Sequence, residues 1–232
     1  AIGFIEKLDN LSKNILNSKV LIAASEACLS ARVLVNQIDK RLSKLERLAV
    51  GSQDLFIFLE KILIPIWEQA KDKSISFWPE ESRINKLSIS KQILSPSDYG
   101  FHNSLKLSDG SLIFLDFDYF GWDDPVKLTA DFIWHPAMNL QSGMKEKWKL
   151  AMLKLFSNDI YFEERLNAAM PLYGIRWALI ILNEFLPHLA QKRKTASNSI
   201  EYDIKESQKA QLIKANYYCE QVENMIPDIV YN

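Results

Sequence analysis

The sequence predicts an α+β fold that is mainly helical, with one small β-hairpin near its centre. Three observations predict it. The segments up to Lys71 and from Asp124 onward repeat apolar residues at the three-and-four spacing of amphipathic helices. Between them, Leu94 to Asp131 departs from that spacing and sets Asp109-Gly110 between two apolar runs, a hairpin signature. The same stretch concentrates charge: from Asp116 to Asp131 there are five acids and one base, Lys127, in a chain whose net charge is −1.

Taken in order, Ile2 to Leu16 is a helix, with Ile2, Ile5, Leu8, Leu11, Ile15 and Leu16 at helical period. Lys19 to Val50 reads as a long amphipathic helix, broken at most once, with Leu34, Ile38, Leu42 and Leu45 inward and Lys40, Arg41, Lys44 and Arg47 outward. Its apolar spacing wanders too much for a sustained coiled coil. Gly51 ends it, and Ser52 or Asp54 starts the next helix, Leu55 to Lys71, which Pro65 is expected to kink or split. Asp72 to Ile89 reads as a linker anchored by Phe77-Trp78-Pro79. Pro96 and Gly100 make the run from Asp98 to Asn103 a turning loop.

The hairpin follows, with His102 to Leu107 as one strand, Ser108-Asp109-Gly110 as the turn and Ser111 to Phe117 as the return strand. Alternation places Ile113, Leu115 and Phe117 on one face and Phe114, Asp116 and Asp118 on the other. Asp124-Pro125 opens the helix Val126 to Trp134, which carries Asp131 on a mostly apolar surface and stops at His135-Pro136. Met144 to Ser157 and Ile160 to Ala169 are two further helices, and Pro171 to His188 is the central buried one, where Arg176 needs an acid such as Asp131 or Glu184. Gln191 to Ser199 has no apolar residue but alanine and is expected to be mobile; Ile200 to Ile226 closes the chain as an amphipathic helix.

With 232 residues, 48% apolar and 25% charged, the composition is that of an ordinary soluble globular protein. The near-neutral charge gives no reason to expect nucleic acid as a partner, and the short basic run Gln191-Lys192-Arg193-Lys194 reads as a solvated loop. The most apolar segment, Leu55 to Trp67, contains Glu60 and Lys61 and is too short for a membrane span. No secretory signal is visible at Ala1. Cys28 and Cys219 lie far apart without a C-x-x-C, and three histidines are few for a zinc site. A cytoplasmic protein with reduced thiols is the expectation; the pattern says nothing of oligomeric state.

The acidic stretch carries the chemistry. Asp116 stands at the end of the return strand, near the loop that holds Asp98 and Asn103. A carboxylate, an amide and a second carboxylate at the mouth of one hairpin can hold Mg²⁺ and position a hydroxyl, because Mg²⁺ accepts a few oxygen ligands plus substrate phosphates. The plainer alternative is that the acids cap turns and Asn103 completes an Asx-turn.

The order Asp98, Asn103, hairpin, Asp116-Phe117, then Gly121-Trp122-Asp123-Asp124-Pro125 and Asp131, resembles the catalytic core of the aminoglycoside phosphotransferase and choline kinase family, which has a protein-kinase-like fold. The resemblance implies the helical C-terminal lobe of such a fold over residues 1–232, with the catalytic loop and hairpin at 94–118. It implies that Asp98 orients or deprotonates an acceptor hydroxyl, that Asn103 and Asp116 hold Mg²⁺ on the phosphates of ATP, and that Asp131 braces the loop. It leaves Asp118, Trp122, Asp123, Asp124 and His135 as substrate-binding candidates, with Trp134 and Trp177 as further aromatic walls or core. The implied function is ATP-dependent phosphoryl transfer to a hydroxyl of a small molecule, whether aminoglycoside, choline-like or sugar; the alternative is a non-catalytic kinase-like module that binds a nucleotide or a partner. The sequence departs from the pattern at Pro96, where the family has His, and it contains no Gly-rich phosphate loop and no strand-borne Lys ahead of the catalytic loop. The N-terminal β lobe is therefore expected to be absent from this sequence.

Overall fold

The computed structural model describes residues 1–15, 22–187, 189 and 203–226. The described chain is mainly helical, with two small two-stranded sheets, and it groups into two compact units. The basic run Gln191–Lys194, the segment Gln191 to Ser199 and the ends of several expected helices lie outside the described residues.

The first unit comprises Ala1–Val33 and Trp78–Met170 and carries every strand among the described residues. Helix α1 (Ile2–Ile15) packs on strand β1 (Ile93–Ser95), and Leu94 N donates to Ser12 Oγ at 2.9 Å. β1 pairs antiparallel with β4 (Gly121–Asp123), with Leu94 opposite Trp122. β2 (Ser104–Lys106) and β3 (Leu112–Phe114) form the hairpin, with Leu105 opposite Ile113. Helix α6 (Pro125–Trp134) starts as the sequence predicts: Asp124 accepts from Val126 N at 2.9 Å and Pro125 occupies the first turn, where its missing N–H costs nothing. Helix α7 (Ser142–Leu155) packs on α1 and α6. An aromatic cluster fills the space between them, with Tyr99 4.6 Å from Phe114 and 5.7 Å from Phe132, and Phe132 stacked on Trp148 at 3.8 Å.

Three expectations are corrected here. Lys19 to Val50 is not one helix: Ala23 pairs with Trp122 as a parallel bridge, Cys28 N donates to Asp123 Oδ1, and the helix α2 (Ala31–Ala49) begins only after Ser30 Oγ accepts from Val33 N. The hairpin strands are three residues each, shorter than the sequence suggests. Ile113, Leu115 and Phe117 are exposed, whereas Phe114 is buried against Phe4 and Tyr99. Asp72 to Ile89 is not an irregular linker, since α5 (Glu80–Arg83) lies within it; its expected anchor Trp78 is buried, donating from Nε1 to Ser82 Oγ at 3.1 Å. The strand before the loop begins at Ile93, preceded by a 3₁₀ turn at Ile89–Lys91.

The second unit contains Leu34–Phe77 and the chain from Pro171 onward. In it, α3 (Gln53–Phe58) passes through a π-helical turn, Leu59–Leu63, into α4 (Ile64–Phe77). Proline lacks an N–H and crowds the carbonyl four residues earlier. The wider π turn just ahead of Pro65 accommodates both faults, so the helix is neither split nor stopped there. Helix α8 (Phe162–Ile181) also tolerates a proline, Pro171, and runs on into a 3₁₀ turn, Leu182–Phe185; the two helices expected on either side of Pro171 are one. Helix α9 (Ile204–Met225) is capped by Asp203, which accepts from Lys205 N at 2.8 Å, and it packs on α3, α4 and the Leu182–Phe185 turn.

Candidate active site

The loop after β1 is built to present Asp98. Ser97 sits at φ 66°, in the left-handed region, and turns the chain; Asp98 N donates to Pro96 O at 2.9 Å. Tyr99, next in line, is buried in the aromatic cluster and acts as the anchor from which Asp98 projects the other way. A side chain at Gly100 would meet His102 Nδ1 and Met138 Sδ at 2.6 Å, so any larger residue must push one of these side chains aside. A single 3₁₀ turn, Phe101–Asn103, follows, and Leu115 N donates to Asn103 O at 2.9 Å, which ties the return strand of the hairpin to the loop.

The Asp98 carboxylate collects donors while its side chain stays 42% exposed. His102 Nε2 lies 2.9 Å from Oδ1, Asn103 Nδ2 donates to Oδ2 at 3.2 Å and to the backbone oxygen of Asp98 at 3.0 Å, and His135 Nε2 is 3.7 Å from Oδ1. The hydrogen bond from His102 is the largest influence holding this carboxyl below its ordinary range, against partial burial and with help from His135 and Asn103. The two imidazoles stack on each other, centroids 3.8 Å apart and planes within 2°. His135, a substrate-binding candidate from the sequence, stands beside Asp98 and His102. His102 was missed altogether, although its position four residues after Asp98 in a tight turn is a signal that could have found it.

Asp98, His102 and His135 offer three ligand atoms within 4.8 Å of one another, which the low histidine count had argued against. The ring planes decide the matter. A metal bonded to an imidazole nitrogen lies near the plane of that ring, and one ion cannot lie in two parallel planes that are stacked face to face. The arrangement suits hydrogen bonding to Asp98, not a shared ion.

Asp116, two residues beyond β3, is exposed and held at φ 61°, an uncommon conformation for a non-glycine residue. Asp118 is exposed as well. Asp116 does not belong to the Asp98 imidazole group. As donors, the amide oxygen of Asn103 and the exposed carboxylate of Asp116 are the hard oxygen ligands that Mg²⁺ takes, and their small number suits an ion that shares its shell with phosphates and water.

The remaining acids are structural, which corrects their assignment as substrate ligands. Asp123 is 0% exposed; Oδ1 accepts from Cys28 N at 2.9 Å and Asp124 N at 2.8 Å, and Oδ2 is 3.4 Å from Lys127 Nζ. Burial pushes its carboxyl up to about 6 against the pull of Lys127 and the two backbone donors. Asp124 caps α6 and is gripped by Arg165, itself fully buried. Trp122 is buried in β4, and Trp134 is buried with Nε1 donating to Met170 O at 2.9 Å, so neither opens to an acceptor; Trp177 is buried in α8. Asp131, also buried, lies 3.3 Å from Lys127 Nζ, which donates to Ser97 Oγ at 3.0 Å. Through Lys127, helix α6 reaches the entry of the Asp98 loop. Lys127 and Arg165 are the two residues of this framework that the sequence reading passed over.

No protein-family model and no curated protein matches the chain. Among solved structures it is similar to an ethanolamine kinase from Plasmodium vivax, with a TM-score of 0.44 and 12% identity over 91% of this chain and 56% of that one. The chain thus spans about half the length of that kinase.

Among the described residues, no helix is long and apolar enough to cross a membrane. Beside the loop, Phe101, Phe132, Leu140, Met144 and Trp148 line an apolar cavity of about 200 Å³, with Lys147 at its rim.

Proposed function

We propose that this chain is the catalytic, C-terminal lobe of a kinase-like phosphotransferase that moves the γ-phosphoryl group of ATP to a hydroxyl of a small molecule in the cytoplasm. The observation that carries the reading is the Asp98 carboxylate, held ionised by His102 and Asn103 yet open to solvent. Phosphoryl transfer needs little covalent help from a protein; it needs a positioned hydroxyl and neutralised phosphate charge. Asp98 accepts the hydrogen bond of the acceptor hydroxyl and takes its proton as the oxygen bonds to the γ-phosphorus and the bond to ADP breaks. Asn103 and Asp116 are the residues that would hold Mg²⁺, which when bound draws off charge from the β- and γ-phosphates. Lys127, between Asp131 and Ser97, keeps the loop entry fixed to α6.

The sequence contains no Gly-rich phosphate loop. We assign that part, with its lysine, to a nucleotide lobe outside residues 1–232. With Trp122, Asp123 and Asp124 committed to internal partners, the acceptor is met by Asp98 and the surface around the hairpin end, Asp118 included. Aminoglycosides, amino alcohols such as choline, and sugars all remain in the acceptor class.

The test is thermal unfolding with and without Mg²⁺-ATP, on wild type and Asp116→Ala, joined to a transfer assay over those acceptors. Nucleotide at ~100 times its dissociation constant adds roughly 2.7 kcal/mol of stability. The expected result is a rise that Asp116→Ala abolishes, and transfer that Asp98→Ala lowers by roughly 10²–10⁴-fold. A rise without transfer would make the chain a nucleotide-binding module, and neither a rise nor transfer, in this chain or any longer form, would refute the reading.

A further inference from the structure

Resting on that phosphotransfer reading, we infer that His102 and His135 are positioning residues: a stacked pair of neutral imidazoles, each with its proton on Nε2, that load Oδ1 of Asp98 and leave Oδ2 to take the proton of the acceptor hydroxyl.

The tautomers follow from the partners. Ala137 N donates to His135 Nδ1 at 3.2 Å, so Nδ1 is the lone-pair nitrogen and the proton of the neutral ring sits on Nε2, 3.7 Å from Asp98 Oδ1. His102 Nδ1 is buried with no hydrogen-bond partner, packed where Gly100 has no Cβ. A proton there would be a buried donor without an acceptor, so the proton belongs on Nε2, 2.9 Å from the same Oδ1. The parallel stack at 3.8 Å favours two neutral rings, since two charged ones would repel face to face. The carboxylate is therefore loaded unequally. Oδ1 faces two ring N–H groups, whereas Oδ2 holds one hydrogen bond, from Asn103 Nδ2, and keeps a lone pair for a hydroxyl.

Paired substitutions separate the stack from the donor. His102→Phe and His135→Phe keep a flat ring but remove Nε2–H; His102→Gln and His135→Gln restore an N–H near that place without the ring. Steady-state transfer from Mg²⁺-ATP would be measured with choline, ethanolamine, glucose and kanamycin as acceptors. Long-range ¹H–¹⁵N spectra of the histidine rings would be recorded on the same wild-type chain. Expected are Nε2–H tautomers at both rings, a kcat lowered roughly 10²-fold in the Phe variants with KM for Mg²⁺-ATP unchanged, and recovery of most of it in the Gln variants. An active wild type whose Phe variants keep full kcat overturns the inference and spares the phosphotransfer reading. A wild type inactive toward every acceptor, in this chain and in any longer form, sinks that reading, and the spectra then judge the pair alone: a proton on Nδ1 of either ring overturns it.

Discussion

Arg165 grips Asp124 with two hydrogen bonds, Nε to Oδ2 at 3.1 Å and Nη2 to Oδ1 at 3.2 Å, while Nη1 reaches Asp159 Oδ2 at 2.7 Å. The guanidinium is fully buried, and the carboxylate it holds is the one that caps α6. Removing one partner of such a pair strands the other charges out of water. Arg165→Leu should therefore cost about 3–5 kcal/mol, seen as a lower urea midpoint at unchanged slope. A loss under about 1 kcal/mol, the range of a surface ion pair, would contradict this account.

Asp123 sets a pH dependence with a definite sign. Its carboxyl is raised to about 6 in the fold, from ~3.9 in an unfolded chain. The folded state thus holds this proton more tightly, and the stability that comes with it is complete below pH ~4 and is lost as the pH rises through about 6. Asp123→Asn keeps an oxygen for Cys28 N and Asp124 N but removes the titration. Wild type should lose about 1–3 kcal/mol relative to Asp123→Asn between pH 4 and 7, measured by urea unfolding at each pH. A difference that stays flat over that range would show that Lys127 and the backbone donors outweigh burial.

Two glycines should respond with opposite signs. At Gly121 an added Cβ would lie 2.5 Å from Ala24 N and 2.6 Å from Ile22 O, both backbone atoms. The hydrogen bonds that pass there, Ala24 N to Trp122 O and Trp122 N to Ile22 O, each 3.0 Å, would have to open. Gly121→Ala should destabilise by at least about 1–3 kcal/mol. At Gly143, in the first turns of α7, a Cβ would meet nothing within 4 Å, and Gly143→Ala should stabilise by about 0.5–1 kcal/mol. Thermal melts of both variants check the pair.

Gly100→Ala is expected to act on the Asp98 loop more than on stability. The atoms in its way, His102 Nδ1 and Met138 Sδ, belong to side chains that can give way. The stability cost should stay near 1 kcal/mol, but His102 must leave its place beside Asp98. The observable is the His102 ring resonance, which should shift while the melting temperature barely moves; an unmoved ring would mean that Met138 alone yields.

The parts of this fold that local chemistry dictates were legible in the residues. Asp109-Gly110 turns the hairpin and Asp124-Pro125 opens α6, because turn and cap preferences act over a few neighbours. The Asp98–Asn103 pair, five residues apart in one loop, was readable as a spacing, though not as the hydrogen bonds that join it. What escaped was set by partners far away in sequence. Arg165 and Asp124 are 41 residues apart, and Cys28 N finds Asp123 across 95, so nothing near Asp123 or Asp124 reveals these two partners. At the hairpin, period-two alternation separates Ile113 from Phe114 but does not say which face is buried; Phe114 is drawn to the aromatic cluster. The π turn before Pro65 escaped for another reason: Pro65 announces a fault in the helix but not how the backbone absorbs it.

The loop that presents Asp98 leans on a thioether. Phe101 N donates to Met138 Sδ at 3.0 Å, and the same sulfur fills the gap that Gly100 leaves. A methionine sulfur can gain an oxygen, and the sulfoxide is polar, chiral and larger. Here that oxygen would enter a space with no room for even a methyl group. The support of the loop is thus also a point of oxidative damage, shielded by the burial of Met138 and reversible by enzymes that reduce the sulfoxide. Under peroxide stress the chain would lose the geometry of Asp98 while its helices stayed folded.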